Sequence, residues 1–170
     1  AIETVECWEL ALKNRTGPSL IALSRQNLDE FRQSRDTKSK NNLCENGAYC
    51  VASNSEKPEF AIFASGSEVN IAVEAYQELE KCDKTVRIYS VPCLDYFNSQ
   101  DKKFRESIIN NASRNMVIEA GVSQGWDKIL RDNGVFIGMS SFGASGPYKE
   151  LYKNFKITKE HIMDVILNNK

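Results

Sequence analysis

Five short runs of β-branched, aromatic and small apolar residues constrain this chain more than any other feature, because segments of a different period separate most of them. The runs cover residues 48–52, 60–64, 85–91, 114–119 and 135–139. After the second run, Val69, Ala72, Val73, Tyr76 and Leu79 recur at the spacing of one helix face. Residues 101–109, 124–131, 147–155 and 159–167 carry further helical patterns. Strands alternating with helices specify an α/β fold built on a mainly parallel sheet. The runs at 48–52 and 60–64 have no helix between them, so one of the two is expected to be antiparallel at an edge. The expected fold is a three-layer α/β sandwich: a mostly parallel five-stranded sheet with one antiparallel edge strand.

The first quarter of the chain reads differently. Val5, Trp8, Ala11 and Leu12 predict a helix over residues 3–14, which Gly17 and Pro18 end. Residues 19–23, Ser-Leu-Ile-Ala-Leu, form a continuous apolar run that suits a buried strand. From residue 24 to 46 the periodicity disappears, and Arg32, Arg35, Lys38 and Lys40 stand among polar residues. This stretch is expected to be an exposed linker at a domain boundary, dividing the chain into 1–42 and 43–170. Without an aromatic platform beside them, its cations suit a solvated connection better than a nucleic-acid site. The first helix and strand are expected to lack packing partners within this chain.

The 170 residues are 41% hydrophobic and 26% charged, with a formal net charge of −1. Such a chain can bury a core. Its charge gives no reason to expect nucleic acid or an anionic membrane as a partner. No apolar run approaches the roughly 20 residues that span a bilayer, and the start has no signal-peptide pattern. The chain opens on Ala1 within a helical pattern, which a truncated or processed chain explains. Cys7, Cys44, Cys50, Cys82 and Cys93 match no zinc or C-x-x-C spacing, so reduced thiols and a cytoplasmic location are expected. The single histidine, His161, sits on an amphipathic helix and suits a half-buried or surface role.

Ser65-Gly66-Ser67-Glu68 joins a strand to a helix. Its backbone amides suit an anion, but its hydroxyls and Glu68 suit helix capping better. It is not the G-x-S-x-G elbow of a serine hydrolase. Glu119 ends a strand, with no second carboxylate that makes it a general acid or base. Trp8 and Trp126 are expected to be core or interface anchors.

Four stretches say more. They are residues 17–28 (GPSLIALSRQNL), residues 63–69 (FASGSEV), residues 117–121 (VIEAG) followed by Trp126, and residues 138–147 (GMSSFGASGP). In order and spacing they resemble the end of a transketolase, and the resemblance runs from Ala1 to Lys170. The first stretch resembles the last strand of that family's pyrimidine-binding domain, and the others its C-terminal domain. The resemblance implies a parent enzyme that moves a two-carbon ketol unit between sugar phosphates in the pentose phosphate pathway. It implies thiamine diphosphate, Mg²⁺ or Ca²⁺, and a homodimer. The arginine of SRQN, here Arg25, is implied to hold the substrate phosphate, in keeping with the fork geometry of a guanidinium. The family's Gly-Asp-Gly motif for coenzyme and metal does not occur in this sequence. The chain is therefore expected to hold neither group and to be structural and dimer-supporting rather than catalytic alone. Two other readings remain: a standalone anion- or nucleotide-binding module, and one subunit of a split enzyme.

Overall fold

The computed structural model describes residues 1–32 and 42–168. Its centre is β2 (Phe60–Ala64), whose residues are all buried. The chain alternates Phe60, Ile62 and Ala64 to one side with Ala61 and Phe63 to the other, so both faces must be covered. The parallel partners of β2 are β3 (Val86–Ser90) and β4 (Arg114–Ile118). Beyond β4 lies β5 (Val135–Ile137), also parallel, and beyond β3 lies β1 (Tyr49–Ser53), antiparallel. The sheet order is β1-β3-β2-β4-β5. The expected architecture is therefore found, and the edge strand is the one at Tyr49. A bulge at Val51 shifts its register between Cys50 and Ala52.

Two apolar layers cover the sheet. On one side α2 (Glu68–Lys81) and α7 (Lys159–Asn168) bring Val69, Ala72, Leu79, Ile162 and Ile166 onto Ile62, Ile88 and Met116. On the other side α3 (Leu94–Ser99), α4 (Lys102–Ile109) and α5 (Asp127–Leu130) bring Phe97, Ile109 and Ile129 onto Phe63, Tyr89 and Val117. Phe63 and Tyr89 stack with centroids 4.9 Å apart. Trp126 is buried in this second layer. α5 is shorter than its sequence pattern because Gly125, at φ 91°, breaks the backbone just before it. α6 (Tyr148–Asn154) has no buried residue of its own, but Tyr152 packs against the first layer. Among the described residues no helix is long and apolar enough to cross a membrane.

The N-terminal quarter departs from expectation twice. α1 (Ile2–Lys13) forms, and it docks on the domain through Glu3 and Glu6 rather than standing without partners. The run at 19–23 is not a buried strand: it has no strand geometry, and Leu20 is 95% exposed. A strand needs neighbours for its N–H and C=O groups, and no described strand lies beside it. Of the expected linker, residues 33–41, with Arg35, Lys38 and Lys40, lie outside the described residues. Residues at its end are ordered: Leu43–Asn46 is a 3₁₀ turn, capped by the Asn42 side chain on the Cys44 N–H.

Candidate functional site

Arg25 lies in the irregular segment that follows α1. Ser24, Arg25, Gln26, Asn27 and Tyr148 line an open hollow of about 430 Å³. The Arg25 side chain is exposed, and no described carboxylate forms an ion pair with it. A guanidinium without an internal counter-ion, flanked by a hydroxyl and two amides, is suited to an oxyanion from solution. Two contacts hold the loop against the domain. The Asn70 amide donates to the Asp29 carbonyl at 3.2 Å, and Phe31 packs on the core layer of α2 and α7.

Behind this loop lie the carboxyl ends of β2 and β4. The chain leaves β2 toward β3 on one side, and β4 lies on the other, so this is the point where the winding reverses. The turn at 65–68 does not act as expected here. Neither serine caps α2 through its side chain. The Ser67 hydroxyl instead donates to Glu68 Oε1 at 2.8 Å, and the Ser65 hydroxyl to Glu119 Oε2 at 2.7 Å. The Tyr152 hydroxyl also donates to Glu68. Contrary to expectation, Glu119 does have a second carboxylate acting on it, that of Glu68. Burial pushes the Glu119 carboxyl up, the Ser65 hydroxyl opposes this, and the charge of Glu68 adds to it. Two carboxylates stand where an anion at the helix start would sit, which disfavours the anion-module reading.

A third cluster was not legible in the sequence. Glu6 of α1 is fully buried and receives a two-pronged pair from Arg32, at 2.8 and 2.9 Å. The Arg32 guanidinium lies 5.0 Å from the centre of the Tyr49 ring. Tyr49 in turn donates to Glu3 at 2.8 Å, and the Ser90 hydroxyl also donates to Glu3. Burial and the nearby Glu3 carboxylate push the Tyr49 phenol up, which keeps it a donor. This cluster ties α1 and residues 24–32 to β1 and β3. No signal could have revealed it, since Glu6 and Arg32 are 26 positions apart and lie on no common element.

Among the described residues no group of three His, Cys, Asp or Glu side chains could hold a metal ion. His161 is half-buried on α7, where its backbone N–H donates to the Thr158 hydroxyl at 3.3 Å. Fold and site thus define an open α/β domain with an exposed arginine on an irregular segment held against it.

Comparison with known proteins identifies the family of this fold. Residues 47–158 match the model of the transketolase-like TK C-terminal domain. A transketolase of Rhodobacter capsulatus is 40% identical over 167 residues, which cover 95% of this chain and 24% of that protein. The solved transketolase of Leishmania mexicana superposes with a TM-score of 0.83 at 34% identity, over 96% of this chain and 23% of that one. A split-gene transketolase, described as an inactive β4 tetramer, shares the fold alone, at TM-score 0.63 and 14% identity over 84% of this chain and 46% of that one. The chain belongs to the transketolase family and matches its C-terminal domain. It spans about a quarter of the length of the curated relatives it matches.

Proposed function

We propose that this chain is the C-terminal part of a thiamine diphosphate-dependent transketolase, and that Arg25 binds the phosphate of its sugar-phosphate substrates. The observation that carries this is the Arg25 guanidinium, open to solvent and without a described counter-ion, in a hollow formed by the SRQN loop and Tyr148. Residues 1–42 are then the tail of the pyrimidine-binding domain with its linker, and 43–170 the C-terminal domain. The parent enzyme works as a cytoplasmic homodimer. The rest of the polypeptide, continuous or supplied as a second subunit, provides coenzyme, metal and the groups that touch the reacting carbons. The coenzyme supplies the carbanion chemistry of ketol transfer. This chain orients the far end of the substrate and holds the loop that does so.

The test has two arms. The 170-residue chain, given sugar phosphates, thiamine diphosphate and Mg²⁺, is expected to show no ketol transfer. Turnover by it would overturn the reading. In the full-length gene product, Arg25→Ala is expected to raise KM for phosphorylated substrates roughly 10- to 100-fold while kcat changes little, as for loss of one charge-assisted, two-pronged contact. An unchanged KM would remove Arg25 from the site.

A further inference from the structure

One wall of the Arg25 hollow comes from a distant part of the sequence. Ser24, Arg25, Gln26 and Asn27 are consecutive, whereas Tyr148 opens α6, near the other end of the chain. Tyr152, one helical turn further on, packs against the first core layer, donates its hydroxyl to Glu68 and lies 3.1 Å from the Ser67 hydroxyl. The Tyr148 ring meets the Tyr152 ring edge-on, with centroids 6.0 Å apart and planes at 86°. Tyr148 is thus steadied by a residue that is itself fixed, while 43% of it stays exposed. Its hydroxyl makes no hydrogen bond to a described residue, and the side chains of Ser24, Arg25 and Asn27 make none either. A phenol is an uncharged O–H donor, and on an open surface it spends that bond on water, which a ligand oxygen can replace. A phosphate ester presents three acceptor oxygens, and a guanidinium gripping it in two-pronged fashion meets two of them. The third calls for a further donor.

We propose that the Tyr148 hydroxyl donates to the substrate phosphate that Arg25 holds, so that the C-terminal domain contributes a substrate-binding residue of its own. This rests on the reading of Arg25 as the phosphate ligand. The two groups approach the phosphate from different segments, Arg25 from the irregular stretch after α1 and Tyr148 from the start of α6. The contact is to the phosphate alone, at the end of the substrate away from the reacting carbons. It therefore favours phosphorylated over unphosphorylated sugars, and it stabilises bound substrate and transition state alike. Its loss appears in KM and not in kcat.

The test is steady-state kinetics of the full-length gene product with thiamine diphosphate and Mg²⁺, as wild type, Tyr148→Phe and Arg25→Ala. Each is measured with a ketose phosphate and with the same ketose lacking its phosphate. Tyr148→Phe keeps the ring against Tyr152 and removes only the hydroxyl, so its melting temperature should match wild type. It is expected to raise KM for the ketose phosphate roughly 3- to 10-fold, with kcat and the KM for the unphosphorylated ketose unchanged. A merely structural role would move both KM values together, and that result would overturn the proposal. So would an unchanged KM in Tyr148→Phe beside a raised one in Arg25→Ala, which keeps the phosphate reading and removes Tyr148 from it. If Arg25→Ala itself leaves KM unchanged, the phosphate reading falls and this proposal with it.

Discussion

Carboxylates at two depths do opposite work in this domain. Glu6 keeps its place in the interior because Arg32 meets both of its oxygens, and such a pair holds position more than it adds stability. Glu119 has a hydroxyl for a partner and another carboxylate nearby, so its charge is poorly compensated. Its folded pKa is raised above the ordinary value of 4.5, chiefly by burial. The folded state therefore holds that proton more tightly than the unfolded chain does. The stability this contributes is fully present below the unfolded pKa and is lost as pH rises through the folded one. Glu119→Gln keeps an acceptor for Ser65 and removes the charge. It is expected to match wild type in acid and to be more stable at neutral pH. Urea midpoints of both proteins across that range check this, and parallel curves would show that Glu119 ionises at no cost.

At the scale of elements, packing against neighbours decided which sequence patterns became structure. β2 and α2 were legible, because each carries an unbroken apolar face that the sheet or the helix layer covers. The run at 19–23 has the same apolar composition and no strand to join, so its pattern alone does not make it one. α3 has only six residues and follows Pro92 closely, too short for a helical period to show. The close approach at Gly47 was equally hidden. Its φ of 78° excludes an ordinary side chain, and a Cβ there would meet the Phe97 amide nitrogen at 2.2 Å. Arg25 was singled out by its flanking motif, whereas the Ser65–Glu119 hydrogen bond needed the sheet order to bring two strand ends together. Where a local signal is complete, its energy can be estimated. Asp101 caps α4, accepting from the Phe104 N–H at 2.9 Å. Asp101→Ala is expected to cost about 1 kcal/mol, read as a lower denaturant midpoint at unchanged m-value. No change would mean that α4 is held by packing alone.

At the scale of the whole molecule, the face of α1 turned away from the domain leaves large apolar side chains to cover. Val5, Trp8 and Leu12 lie along it at helical spacing and are all more than half exposed, although Glu3 and Glu6 fix the opposite face. In the proposed parent enzyme this face meets the rest of the polypeptide. The two tryptophans make the point measurable, because Trp8 is 52% exposed and Trp126 only 5%. In a chain labelled with 5-fluorotryptophan each gives one ¹⁹F resonance, which Trp8→Phe assigns. The solvent isotope shift is expected to be large for Trp8 and small for Trp126. Adding the unlabelled upstream polypeptide of the gene product is expected to move the Trp8 resonance and reduce its isotope shift, leaving Trp126 where it was. A Trp8 signal that ignores the upstream polypeptide would mean that α1 serves this domain alone. The orientation of residues 24–32 would then have to come from the Arg32–Glu6 pair and the Asn70–Asp29 hydrogen bond rather than from contacts across the enzyme.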